Sequence, residues 1–377
     1  MLAGMKPSIL HVSQGNTLPQ RFRTGVSLHS HTLHSKESLN FINHASQHSA
    51  LLRTVLRHGE ARYRKLHGKE LDLKRGWWTP PLAPLDALRV ESSQIESMGL
   101  GPLVSLSDHD DIEAGMSLQA LDASRTVPIS VEWTVPFGTT FFHIGVHNIL
   151  PMHARMVMQC LEAFTAQPDP ANLGTIFSDL HSHPATLIIF NHPLWDEKGI
   201  GAALHRETVL DFLRQHQEFI HAFELNGLRP WHENDLAIQL AAQWNKPVIS
   251  GGDRHAVEPN AILNATNAGT FAEFVEEVRE DRHSEVLVMQ HYHEGHVSRI
   301  FHNMLDVFRT YDDHGRGWTE WGDRVFFTSE TGEVRSLRQY WGENPPSAVA
   351  IFAGFMRLAG QLPGKGTLRA GAQVQRD

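Results

Sequence analysis

A chain of 377 residues with 41% apolar and 20% charged residues describes a folded globular protein and excludes a disordered or fibrous one. Its net charge of −9 with His neutral argues against a generally basic nucleic-acid-binding surface, so an anionic ligand has to be met locally. The single cysteine, Cys160, excludes an internal disulfide and a thiolate-rich zinc ribbon, which leaves His and carboxylate to hold any metal.

Residues 1–24 carry neither the charged start nor the apolar stretch and cleavage site of a secretory signal, so the cytoplasm is the expected compartment. From residue 25 to about 290, short apolar β-rich runs alternate with helical patterns, the mark of successive βα units on a mainly parallel sheet. The runs at 25–28, 103–106, 128–131, 140–146, 186–190, 219–225, 247–250 and 285–289 predict strands in about the number that closes a barrel. Amphipathic patterns at 84–98, 112–123, 172–181, 207–216, 233–244 and 271–280 predict an outer ring of helices, with Phe271, Phe274 and Val278 at helical spacing.

Two segments exceed a minimal barrel. Residues 38–82 form an insertion after the first strand, with a helical pattern through Leu51, Leu52, Val55, Leu56, Tyr63 and Leu66, then a basic run, Trp77 and Trp78. Its length marks a cap or specificity element. Residues 291–377 predict a helix over 298–311, a hairpin turning near 330–332, and a helix after Pro345 and Pro346 capped by Asn344. The late apolar stretch 348–359 is interrupted by Arg357 and is far shorter than the roughly 20 residues that span a bilayer. The expected organisation is a barrel domain over 1–290, bearing the insertion 38–82, followed by a helix-hairpin-helix extension over 291–377.

The chain holds 26 histidines against 33 Lys and Arg together. At that frequency about two H-x-H triplets arise by chance, so spacing alone is poor evidence and position relative to strands decides. His29 and His31, two apart at the end of the first strand, point to one face. The second strand runs into Asp108 and His109, the third ends at Glu132, and the fourth carries His143. The fifth runs into His192, the sixth into Glu224 and Asn226, and the seventh into Asp253, Arg254 and His255. In β/α barrels such strand-end residues converge. His181/His183 and His291/His293 lack that placement and read as ordinary polar residues. Arg254, Arg229 and His232 are expected to bind substrate oxygens by position.

The ordered set SLHSHTLHS, SLSDHD, VE, FFHIG, NHP, FELNG and GGDRH, over roughly residues 25–260, resembles the PHP (polymerase and histidinol phosphatase) domain of metal-dependent phosphoesterases. The resemblance implies a distorted (β/α)7-like, TIM-barrel-like α/β fold holding two or three divalent ions (Zn, Mn or Fe). It implies that His29, His31, Glu132 and Asp253 ligate one ion, that Glu132 bridges to a second held by His143 and His192, and that His109 and His255 hold a third. Where the family commonly has Asp-Gly after the Ser, or a His two residues on, this chain has Lys36 and Glu37 after Ser35. Glu37 stands where the third ion's remaining ligand would be, and a carboxylate can serve.

The function so implied is hydrolysis of a phosphate mono- or diester of a small anionic substrate by a metal-bridging hydroxide. Hydrolysis of a carboxylic ester or amide, which the same Lewis acid would polarise, stays open, as do a metal-stabilised binding module and a homo-oligomer.

Overall fold

Fully buried apolar runs alternating with amphipathic helices build two five-stranded sheets and a smaller four-stranded one. The computed structural model describes residues 8–12, 18–39, 50–68, 70, 72–309, 311, 317–318, 320–329 and 331–342, with 347, 350, 351, 353, 354 and 358 beyond them. The expected cap and start of a helix at 344–346 lie outside these residues.

In chain order the strands are β1 (Ser8–His11), β2 (Thr24–Ser27), β3 (Glu37–Ser38), β4 (Gly76–Trp78), β5 (Gly101–Val104), β6 (Ile129–Phe137) and β7 (Thr140–Ile149). They continue with β8 (Leu187–Phe190), β9 (Ala222–Asn226), β10 (Val248–Gly251), β11 (Ile262–Thr266), β12 (Glu285–Val288), β13 (Val325–Thr328) and β14 (Val334–Ser336). The sheet orders are β1-β12-β11-β2-β5, β10-β9-β8-β7-β6 and β14-β13-β4-β3.

The described strands form a mixed α/β structure of three sheets and no single closed barrel. The two larger sheets meet at single bridges, Ser30 to Arg254 and His109 to Glu132. Leu28 O accepts the Gly252 N–H at 3.1 Å and Asp108 O accepts the Glu132 N–H at 3.0 Å. Val26 and Leu28 share a buried cluster with Ile189, Ala222 and Ile249 of the facing sheet, so burial of apolar area joins the sheets where hydrogen bonding is sparse.

The sheets are also less parallel than the alternating pattern predicts. β6 and β7 form a hairpin turned at Gly138 (φ 57°), β7 is antiparallel to β8, and β11 is antiparallel to both β2 and β12. Glu132 therefore lies within β6, opposite Gly145, and does not end its strand. β1, β11 and the helix Ala154–Ala166 were not anticipated. That helix starts at His153 without a side-chain cap, so the usual start signal is missing.

The insertion contributes the expected helix, Ala50–His67, and then β4. β4 pairs with β3 on one side and β13 on the other. Insertion and C-terminal segment thus share one sheet, and the hairpin β13–β14 lies where the sequence placed it.

Candidate metal centre

The strand ends of both large sheets deliver imidazoles and carboxylates to one buried cluster. Around Oε2 of Glu132 lie His29 Nε2 at 2.8 Å, His31 Nε2 at 3.3 Å and His109 Nδ1 at 3.2 Å. Around Oε1 lie His192 Nε2 at 3.1 Å and His143 Nδ1 at 3.5 Å. Asp253 Oδ1 is 3.3 Å from His31 Nε2 and 3.6 Å from His29 Nε2. Glu37, on β3, sets Oε2 3.0 Å from His255 Nε2 and 3.4 Å from His109 Nε2.

Among the described residues, three groups have ligand atoms close enough to share an ion: His31, Glu37, His109 and His255; His29, His31 and Glu132; His109, Glu132 and His143. The donors are aimed inward. His29 Nε2, His31 Nε2 and Glu132 Oε2 are buried and close to one another but not aligned to hydrogen-bond, a costly state that a cation among them relieves. His29, His192 and Asp253 have positive φ of 60°, 24° and 54°, a strained conformation that clusters at functional sites.

Electrostatics follow from burial against neighbours. Burial pushes Glu132 up, but the imidazoles of His29, His109 and His143 more than reverse it and hold the carboxyl well below its usual range. Burial likewise lowers His255, yet Glu37 and Asp253 carry it up to about 9. His31 goes the other way, down to about 4, through burial and the neighbouring His255.

Carboxylates and amides around the cluster orient it. Glu224, 1% exposed, contacts His29 Nδ1 with Oε1, while its Oε2 accepts the His192 N–H at 2.6 Å and Asn226 Nδ2 at 3.1 Å. Room for it depends on Gly251, where an added Cβ would come within 1.5 Å of Oε1. Asn191 donates to Glu132 Oε1 at 3.0 Å and Asn226 to Asp253 Oδ2 at 3.1 Å. Asp108 takes the Thr32 N–H and hydroxyl at 2.5 and 2.7 Å, fastening the loop after β2 to the loop after β5. Sequence reasoning placed Glu224 and Asp108 at strand ends expected to converge but assigned them no specific role, and Asn191 none. Their available signal was a polar side chain in a fully buried strand or strand end, as in the all-buried β9.

The three substrate-binding candidates are placed differently. Arg254, 2% exposed, donates to Glu91 at 2.6 Å, Ala256 O at 2.7 Å and His31 O at 3.2 Å. Those bonds tie the loop after β10 to the helix Pro84–Ser97. Arg229 pairs with Glu233 at 2.8 Å and lies 3.4 Å over the Trp195 ring. His232 is exposed on the helix Trp231–Gln243. A narrow cavity beside His143 and His192 is walled by Phe141, Trp195 and Glu197, with Glu197 3.9 Å from His143 Nε2.

No family model and no curated protein matches the chain. Solved structures similar to it include PsfC from Pseudomonas syringae, with 14% identity, 56% of this chain and 84% of that one covered, and a TM-score of 0.37. Another is a protein from Bifidobacterium adolescentis described provisionally as a metal-dependent phosphoesterase (14% identity; 53% and 91% covered; TM-score 0.34). A third is an amidohydrolase from Chromobacterium violaceum with bound sulfate and no metal (15% identity; 61% and 87% covered; TM-score 0.33). Likeness at this level assigns no chemistry to the chain, and the cluster's own atoms have to.

Proposed function

We propose that this chain is a metal-dependent hydrolase of the PHP type that cleaves a phosphate ester of a small anionic substrate. One observation carries the proposal: Glu132 presents its two oxygens to two different sets of imidazoles, while buried nitrogens of His29 and His31 lie close to it but are not aligned to hydrogen-bond. The residues fit divalent ions. His29, His31, Asp253 and Oε2 of Glu132 would hold one ion, His143, His192 and Oε1 a second, and Glu37, His109 and His255 a third. Imidazole with carboxylate suits Zn, Mn or Fe. Bound there, such ions supply a nucleophile from water near neutral pH and positive charge for the ester oxygens.

The protein's own contribution is orientation and enclosure. Glu224, Asn191 and Asn226 fix the rotation of the ligating side chains by the hydrogen bonds given above. Trp195 and Phe141 wall the cavity beside His143 and His192, and Arg229, stacked on Trp195, is the guanidinium we assign to a substrate oxygen. We assign Arg254 to holding the loop instead. The two bridged sheets are read as a distorted (β/α)7-like barrel within residues 1–290. The insertion 38–82 and the extension within 291–377 are read as one cap, because β3, β4, β13 and β14 share a sheet.

The test is a metal count on protein purified without chelator, run beside a panel of phosphate esters, carboxylic esters and lactams. The expected result is about two or three divalent ions per chain and phosphate-ester turnover that chelation removes. A chain that stays metal-free under metal-replete conditions, or that turns over only carboxyl substrates, rejects the proposal.

A further inference from the structure

We propose that the chain carries a second ligand site, for a phosphate or carboxylate anion bearing a short apolar group, at the opposite end of the strands from the histidine cluster. A cavity of about 110 Å³ opens where Ser8 begins β1, Lys246 and Pro247 precede β10, and Arg282 and Ser284 precede β12. A water needs roughly 10 to 15 Å³ of such space, so a phosphate group with a few carbons is admitted. β10 runs from this cavity at Val248 to Gly251, two residues before Asp253. The two sites therefore lie at opposite ends of one strand.

The lining combines two chemistries: Ile238, Ala241 and Val248 are apolar, and Lys246 and Arg282 are cationic. Among the described residues, neither the Lys246 ammonium nor the Arg282 guanidinium has a hydrogen-bond or ion-pair partner. Burial and then the adjacent Arg282 pull Lys246 down to about 8, with Glu218 working weakly the other way. A part-buried Lys246 ammonium beside the exposed Arg282 guanidinium is stabilised by an anion that neutralises both. Arg282 also takes a left-handed backbone, φ 52°, a conformation with a cost for a non-glycine residue. Ser284 accepts Asn264 Nδ2 at 2.5 Å, which leaves its own proton to donate. Cations, a hydroxyl donor and apolar side chains around one small cavity are what an organic anion requires.

The experiment is calorimetric titration of the full-length, metal-loaded chain with propylphosphonate and, separately, with butyrate. It is repeated on Lys246→Met, Arg282→Asn, which tolerates the left-handed backbone, and Asp253→Asn. The expected result is that at least one anion binds wild type and Asp253→Asn alike. Lys246→Met and Arg282→Asn should weaken it by about ten-fold or more at unchanged melting temperature. Which anion binds decides between phosphate and carboxylate chemistry. Failure of both anions to bind wild type overturns the proposal, as does affinity unaffected by both cation variants. Binding lost in Asp253→Asn but kept in the cation variants places the anion at the histidine cluster and also overturns it. Because the expected binding survives Asp253→Asn, failure of the metal proposal and failure of this one are distinguishable.

Discussion

Replacing Glu224 by Gln isolates what a carboxylate does behind the cluster. Its two oxygens face the His29 ring, the His192 N–H and the Asn226 amide, all donors when His29 carries its proton on Nδ1. Glutamine keeps the shape but turns one oxygen into an NH2 group, so a buried donor must face a donor. Leaving such a group unsatisfied costs about 1–3 kcal/mol. Loss of a hydrogen bond that orients a ligating His lowers metal affinity by about 10- to 100-fold, or about 1.4–2.8 kcal/mol, so the two estimates agree. The assay is competition for the metal against a chromophoric chelator, run beside thermal unfolding of the metal-free chain. Gly251→Ala, whose Cβ would lie 1.5 Å from Glu224 Oε1, should reproduce the loss by displacing the carboxylate. If Glu224→Gln lowers the melting temperature while metal affinity stays within about two-fold, Glu224 is structural only and the orienting role is refuted.

Glu132→Gln should remove most bound metal and all phosphate-ester turnover, since among the described residues no other faces both sets of imidazoles; retention of full metal content by elemental analysis contradicts this. Arg254→Met leaves the Glu91 carboxylate buried and unpaired, which should cost about 3–5 kcal/mol in denaturant unfolding. Turnover lost without such destabilisation would restore Arg254 to the substrate. His221, whose Nδ1 accepts the Ile188 N–H at 2.8 Å, is lowered by burial, then by Arg279, from 6.5 to about 2. The folded chain thus refuses a proton that the unfolded chain takes below 6.5, so this contribution to stability is complete above that pH and falls as pH drops toward about 2. Its slope is up to about 1.4 kcal/mol per pH unit, and His221→Asn should flatten the acid limb of a melting-temperature profile.

Much of the cluster was legible because strand periodicity and strand ends are written in the residues. His29 and His31 follow a short apolar run, and Asp253 and His255 stand two apart, so each pair shares a side. Arg254, expected by position to meet substrate, is directed in the structure to Glu91, Ala256 O and His31 O. Its bond to Glu91 runs to the helix Pro84–Ser97, so it ties the loop after β10 to that helix. The antiparallel strand β11 (ILNAT) was not legible, because it carries Asn264, fully buried and donating to Ser284 and Glu285 O. A buried polar residue in a short run hides the strand from any test of apolar alternation. The role of Glu224 escaped for a related reason: its partners come from the loops after β2 and β8, and local sequence does not register such long-range pairing.

Glu37 differs from every other member of the cluster in its origin. His29, His31, His109, Glu132, His143, His192, Asp253 and His255 lie on or just after strands of the two large sheets, whereas Glu37 belongs to β3, paired with Trp78 of β4 in the small sheet. Trp78 in turn packs 6.0 Å from the His255 ring, and β4 is held on its other side by β13. The group of His31, Glu37, His109 and His255 is therefore assembled across two bodies of hydrogen-bonded structure, while the groups around Glu132 draw only on the large sheets. A displacement of β3 and β4 would move one carboxylate relative to three imidazoles and leave His29, His31 and Glu132 where they are. Of the three groups, that one is the most dependent on what the insertion and the C-terminal hairpin do.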